Sequence, residues 1–397
     1  MDLKKLNIIV LLLGLLAFWI NGDNYAAAPM LIEMAKDLHV DISSASFSVT
    51  SYMLFFGLLT ILFGPLGDRF GKTHIIKIAA FGSAVFSIIS SFSNSLSFLI
   101  LARAFNGAFS AGILPVSVAY IGENSPDDSR QNSIGKIMGL MFLGGAVAAF
   151  IGGALTYFGS WRLVYFIYGI AEFIIAFMLM FLLEKRHKGN AYFNFVRTYK
   201  TALSNNSLIK IISVMFCLGF AVLGSFVFLG KYIQNISNLN VMLIGIILSS
   251  YGIGTFLGGR ISGSLRNRFG NKIFIAAGII GGISLLILGL FHNLIFIILA
   301  LFGFGLSFIM LQSSFVTTAQ EILPGMRGTV MSLASFSMVV SGAAGTFINS
   351  RIILYYSYSA IFIIAAVLLL SAGLSGYFVL AGVKRISEIM QYEQSWG

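Results

Sequence analysis

Gly64-Pro65-Leu66-Gly67-Asp68-Arg69-Phe70-Gly71-Lys72 is a short, charged, glycine-punctuated break between two apolar runs, 44–66 and 74–93. It has an echo 199 residues later, where Gly263, Leu265 and Arg268-Phe269-Gly270 fall in the same register and Asn267 replaces Asp68. The match extends upstream without a gap: Ser51-Tyr52 falls on Ser250-Tyr251 and Leu58 on Leu257. The same shift lays the run 7–29 over the run 208–231. Chance similarity between apolar segments does not explain matched Arg, Gly and Tyr, so the chain is read as a parallel repeat of two related halves.

What each half must be follows from composition. Of the 397 residues, 58% are hydrophobic and only 10% charged, against about 25% charged in a soluble domain. Too little polar surface exists to cover such a chain in water, whereas a bilayer core removes the need for it. A spanning helix requires roughly 20 apolar residues. Twelve runs qualify: 7–29, 44–66, 74–93, 97–121, 134–157, 162–183, 208–231, 241–263, 273–291, 294–318, 328–350 and 358–381. The predicted fold is an all-α integral membrane protein of twelve transmembrane helices in two pseudo-symmetric six-helix bundles. Residues 1–183 form the first half and 208–397 the second, which ends in a short cytoplasmic tail. Residues 184–207 form a cytoplasmic linker carrying Lys185, Arg186, Lys188, Arg197 and Lys200, with an amphipathic stretch around Phe193–Tyr199 suited to a surface helix.

A net charge of +11 in a soluble protein would raise the question of nucleic acid; here it sets orientation. With the N-terminus inside, all but six of the 25 basic residues lie in inner loops or at inner span ends. Lys36, Arg162, Lys231 and Arg351 fall outside, and Arg103 and Arg260 lie deeper. Both termini are therefore expected in the cytoplasm, in a multi-pass protein of the cell membrane. Lys4, Lys5, the run Ile8–Ile20 and Ala26-Ala27-Ala28 imitate a cleavable signal peptide. The run's counterpart in the second half argues for retention. The lone Cys217 and the dispersed His39, His74, His187 and His292 supply neither a disulfide nor a metal-ligand spacing.

The break at 64–72 resembles the loop signature G-x-L-x-D-R-x-G-(R/K) of the major facilitator superfamily. Length, span number, central loop and the weaker second-half copy agree with that resemblance across the whole chain. It implies a gate built from Gly64, Asp68, Arg69, Gly71 and Lys72, with Gly263, Arg268 and Gly270 as the second copy. Asp68 would face the positive N-terminal end of the eleventh helix, near Gly328. Arg69 and Lys72 would be free for ion pairs with Glu123, Asp127 or Asp128. A plain basic loop serving orientation is the alternative.

Arg103-Ala104-Phe105-Asn106-Gly107 resembles the family's fourth-helix pattern R-x-x-x-G, which is associated with proton-coupled export. Arg103 lies about six residues inside the outer boundary, roughly 9 Å deep. Asp23 in the first span is about as far from its own outer end, so the two can meet. The opposing charge favours the carboxylate and burial favours the acid, a balance suited to proton exchange; a static ion pair is the alternative. Glu172, near the middle of the sixth span, is either a further proton site or a packing hydrogen bond. Arg260 is read as snorkelling to the surface.

The fifth span, with Gly139, Gly144, Gly145, Gly152 and Gly153, resembles the glycine-rich helix of family exporters. However, Ala148-Ala149 stands where those carry Gly-Pro, which weakens the antiport reading. Trp161-Arg162 resembles an outer-loop feature of the drug-antiporter branch and also suits an interfacial anchor. Asn21, Asn24, Tyr25, Tyr52 and Asn106 in the first half, and Phe226, Tyr251 and Gln312 in the second, are candidate cavity residues; for each, helix packing is an equal alternative.

These readings converge on a secondary transporter, not an enzyme, working by alternating access. Its expected partners are a small-molecule substrate, protons and the lipid bilayer, with no nucleic acid, cofactor or metal, and the chain is expected to act as a monomer. Proton-coupled efflux of small amphipathic or lipophilic molecules is favoured, with an importer or facilitator of a metabolite as the alternative. No G-x-x-x-x-G-K-[ST] nucleotide loop is present, so an ion gradient must drive any uphill movement. A membrane-embedded enzyme would need a nucleophile–base pair or clustered metal ligands, and a sensor would carry a signalling domain.

Overall fold

The computed structural model describes residues 3–184, 195–323 and 326–394, with side chains at all of these but 127–129, 131, 195–196 and 379–394. Within them, twelve helical segments are long and apolar enough to cross a membrane. They coincide with the twelve runs expected. The first span is α1 (Leu3–Asp37), longer than its apolar core. The second is α2 (Ile42–Ala45) continued by α3 (Phe47–Phe70), and the third is α4 (Lys72–Ser91). The fourth is split into α5 (Leu96–Ser110) and α6 (Ile113–Asn124). The Pro115 ring would clash with the carbonyl of residue 111, and Pro115 has no N–H to donate, so the ladder breaks there. The fifth and sixth spans are α7 (Asp127–Phe158) and α8 (Trp161–Leu182).

Linker helix α9 (Phe195–Leu203) precedes the seventh span, α10 (Asn206–Phe226), which a tightened turn at Val227 and Phe228 separates from α11 (Leu229–Ser237). The apolar run 208–231 predicts one helix, and the tightened turn, with the Phe228 N–H bonded to the Ser225 carbonyl, divides it in two. The last five spans are α12 (Val241–Phe269), α13 (Lys272–Leu290), α14 (Leu294–Ile322), α15 (Arg327–Tyr355) and α16 (Tyr358–Gln394). Lys185, Arg186, Lys188 and Phe193 of the linker lie outside the described residues.

The repeat is written into the backbone. Among the described residues, positive φ occurs at four positions only: His39 and Asn238, both +54°, and Gly71 and Gly270, at +92° and +54°. Each pair stands in the 199-residue register. Asp41 and Asn240 share it too, each accepting from the backbone N–H three residues on to cap the helix that follows. The same turn chemistry is thus used twice, at the His39 end of the bundle and at the termini end. Gly71 and Gly270 need glycine's freedom because they turn the chain sharply between two long helices.

The halves meet along two crossings, α7 with α12 and α3 with α15. Both are tight at the His39 end and splay towards the termini end. A side chain added at Gly153 would meet the Val241 carbonyl oxygen at 2.7 Å, and one at Gly245 the Ala149 carbonyl oxygen at 2.5 Å. Gly252 lies directly against Ala146 backbone. Further along the same helices, at Gly139, Gly135 and Gly263, an added side chain would meet nothing within 4 Å. The second crossing behaves likewise: Gly57 abuts Val340, whereas Gly64 finds only Ser332 Oγ, at 3.9 Å. Ser43 Oγ donates to the Ser350 carbonyl at 2.6 Å, clasping the closed end. The structure is therefore closed at the His39 end and open at the termini end.

Gly252→Val should break this closure. A side chain there displaces Ala146 backbone, which does not yield, and overpacking of that kind costs about 1–3 kcal/mol. A cysteine at Ala149, in a chain with Cys217→Ser, should go from shielded to reactive towards a membrane-impermeant thiol reagent when Gly252→Val is added. Equal reactivity in the two backgrounds would show that the crossing is not the seal.

Candidate functional site

The first half encloses a polar network in an otherwise apolar bundle. Asp23 on α1 and Arg103 on α5 form an ion pair, Arg103 Nη1 to Asp23 Oδ2, at 2.5 Å. Asp23 is 2% exposed and Arg103 fully buried. The same Nη1 donates to Asn106 Oδ1 at 2.6 Å, one helical turn on. Asn106 Nδ2 donates to the Ser83 carbonyl on α4 at 2.8 Å. Ser83 Oγ then donates to Glu172 Oε2 on α8 at 2.6 Å and shares a hydrogen bond with Ser110 Oγ. Two carboxyls on α1 and α8 are thus joined through Arg103, Asn106 and Ser83.

Tyrosine rings hold the guanidinium. Its Cζ lies 4.2 Å from the Tyr52 ring centre and 4.7 Å from that of Tyr165, two cation–π contacts that hold it without neutralising it. The pair is incompletely satisfied. Asp23 Oδ1, Arg103 Nε and Nη2, and the Tyr165 hydroxyl are buried without a hydrogen-bond partner among the described residues. A buried polar group left so costs about 1–3 kcal/mol, and a functional centre is where such a cost is tolerated.

Close helix contact makes the network possible. Gly107 on α5 packs directly on the Tyr52 carbonyl, and Gly305 on α14 packs in the same way on the Tyr251 carbonyl. This glycine contact equates the two helices. It also shows that the second half has Leu301 where the first has Arg103, and Phe304 where the first has Asn106. The charged centre belongs to the first half alone.

The second half answers with aromatic rings. Tyr251 lies 4.7 Å from Phe226, 5.1 Å from Phe304 and 5.8 Å from Tyr25 across the interface, measured between ring centres; Tyr25 lies 5.1 Å from Phe226. Of the eight candidate cavity residues, Tyr25, Phe226 and Tyr251 come together here. Tyr52 and Asn106 instead belong to the arginine cage. Asn21 donates to the Met141 carbonyl at 2.9 Å, a packing bond between α1 and α7. Asn24 and Gln312 are half-buried and join neither group. Ser83, Ser110 and Tyr165 were not singled out in the sequence, because a Ser or Tyr in an apolar run gives no signal until its helix partner is known.

At the termini end, Lys72 Nζ bridges Asp68, at 2.8 Å, and Glu123, at 2.5 Å. The Glu123 pairing was expected. The side chains of Asp127 and Asp128 lie outside the described residues. Asp68 does not touch the start of α15: a cavity of about 550 Å3 separates them, with Asp68 and Lys72 on one wall and Arg327 and Gly328 on the other. Arg69 is exposed, over the Phe70 ring. The second half has its own pair, missed in the sequence, between Arg266 and Glu321 at 2.7 Å. Arg268 is exposed, stacked on Phe269. Helix α9 borders the same cavity and ties the halves: Tyr199 donates to the Ile61 carbonyl at 3.0 Å, while Ala202 packs with the second half's core. At the opposite end Arg162 and Trp161 clasp Asp37, and Arg162 also donates to the Ser93 carbonyl at 2.7 Å.

Twelve spans, a repeat in parallel register and an opening between the halves at one end define a secondary-transporter fold. The chain belongs to the major facilitator superfamily: the family model described as Major Facilitator Superfamily matches residues 13–346. The uncharacterized MFS-type transporter YwfA of Bacillus subtilis is 26% identical over 386 residues, covering 92% of this chain and 91% of that protein. A bicyclomycin resistance protein homolog of Haemophilus influenzae is 23% identical, covering 87% and 90%. Among solved structures, the nucleoside transporter NupG superposes with a TM-score of 0.79 at 13% identity, covering 94% of this chain and 99% of that one. The chain is a membrane transporter and not an enzyme.

Proposed function

We propose that this transporter is a proton-coupled exporter of small amphipathic or lipophilic molecules, working by alternating access as a monomer in the cell membrane with both termini cytoplasmic. The observation that carries the reading is the Asp23–Arg103 pair, a buried carboxylate with one oxygen bonded to arginine and the other unpartnered. A proton taken up at Oδ1 discharges the ion pair. Arg103 then stays in place through Asn106 and the two tyrosine rings. Releasing the proton restores the pair. Glu172, joined to the pair through Ser83 and Asn106, is the second carboxyl of the same relay.

The substrate site is the aromatic group Tyr25, Phe226 and Tyr251, which lies between the halves and suits flat or lipophilic molecules. Export is supported by the resistance-protein name of the Haemophilus relative. The test is flux in proteoliposomes. Compounds that bind the purified protein in a ligand screen should move against their gradient when a pH difference is imposed and stop doing so when it is collapsed. Flux indifferent to the pH difference would make the protein a facilitator.

The gate is proposed to work through Asp68. When the termini end closes, Asp68 crosses the present cavity and faces the first turn of α15, an interaction worth about 1 kcal/mol. Asp68→Asn should then lower the closed population roughly fivefold, reduce transport, and leave insertion and folding intact. Cysteines placed in the cavity wall should label faster. Unchanged labelling with unchanged flux would remove the gating role. Asn267 in the second repeat already lacks this charge, so that copy is expected to contribute less.

A further inference from the structure

A second opening at the termini end lies outside both the gate and the proton centre. Where α7 and α12 splay, they leave a cleft of about 780 Å3 that also borders the start of α1. Its walls are apolar, with Leu11, Leu143 and Phe256 among them, and its rim carries Asn7, Lys136 and Arg260. Lys136 and Arg260 are exposed, and no carboxylate among the described residues pairs with either. Arg260 is held over the Phe256 ring with Cζ 4.6 Å from its centre, so its position is fixed by the wall itself. Simple snorkelling accounts for Arg260 alone, but not for two unpaired cations, one from each half, converging on one apolar cleft.

We infer that this cleft is a binding site for an anionic phospholipid of the surrounding bilayer, whose phosphate sits between Lys136 and Arg260 and whose acyl chain lies along Leu11, Leu143 and Phe256. Charge complementarity selects the headgroup, and the apolar walls select a lipid over a soluble phosphate ester. The site goes beyond the transport reading and does not depend on the substrate or on Asp23. One cation comes from each half, so the site exists in full only while α7 and α12 stand apart. A bound lipid therefore holds the termini end open, and closure must expel it.

The experiment is native mass spectrometry of the full chain from micelles containing equal amounts of phosphatidylglycerol and phosphatidylcholine with identical acyl chains. The wild type should retain one phosphatidylglycerol in clear preference to phosphatidylcholine. Each cation near an anionic lipid is worth about fivefold, so Lys136→Gln with Arg260→Gln should lower the preference roughly 25-fold. Lys136→Arg with Arg260→Lys should keep it. Leu143→Trp, which fills the cleft and leaves both cations in place, should also expel the lipid; this arm decides the matter if the double glutamine variant does not fold. Glycerol 3-phosphate, the headgroup chemistry without chains, should fail to compete. Equal retention of the two lipids by the wild type would overturn the proposal. So would retention unaffected by Leu143→Trp, or full displacement by glycerol 3-phosphate.

Discussion

Asp23→Asn should abolish gradient-driven accumulation while sparing ligand binding. The amide has the shape of the protonated acid and cannot release a proton, so the chain is held in one state of the coupling cycle. Asn also leaves Arg103 without a counter-charge, yet Arg103 retains Asn106 at 2.6 Å and two tyrosine faces, so the local fold should survive. In proteoliposomes, wild type should accumulate a binder from the ligand screen when the pH difference is imposed, and Asp23→Asn should only equilibrate it. Binding measured on the purified variant should stay within a few-fold of wild type. If Asp23→Asn still accumulates substrate in response to the pH difference, the carrier is elsewhere, and Glu172→Gln becomes the variant to make.

Removing the other partner has a different consequence. Arg103→Ala leaves a buried carboxylate without its cation and takes the donor from Asn106, and breaking a buried pair from one side costs about 3–5 kcal/mol. The melting temperature of the purified protein should drop sharply. Adding Asp23→Asn to Arg103→Ala should recover a large part of the loss, because the uncompensated charge is gone. Arg103→Lys should recover only part, since an ammonium lacks the planar fork that donates to Asp23 and Asn106 and rests on the Tyr52 and Tyr165 rings. Additive losses in the double variant would show that the two residues do not act as a pair.

How far the sequence could be read differs between the two levels of structure. Bilayer thickness sets the length of an apolar run, so all twelve spans were legible from hydropathy alone. The meeting of Asp23 and Arg103 was legible too, because a deep charge is costly and depth can be counted from span ends. The rest of the relay was not. Ser83 joins Asn106 to Glu172 only because α4, α5 and α8 pack side by side, and nothing in the local sequence of Ser83 reports that. Eight candidate cavity residues were chosen as polar or aromatic, and helix rotation separated them: Tyr25 faces the other half and Tyr52 faces the arginine. Asp68 illustrates a further limit. Its signature was plain, but in this structure a cavity of about 550 Å3 lies between it and the start of α15, a separation that local sequence does not report. Paired features such as His39 with Asn238 were present in the sequence and carried no signal until their φ angles were known.

The central claim is that a bound substrate and a proton on Asp23 are linked. It is tested most directly by following proton release from purified protein in weakly buffered detergent solution as a binder from the ligand screen is added. The account predicts that the substrate favours the ionised pair, so that wild type, at a pH where part of Asp23 is protonated, releases protons on binding, and that Asp23→Asn binds the same compound a few-fold more weakly and without releasing them. Binding with no proton release by the wild type, or equal release by the two proteins, would contradict it.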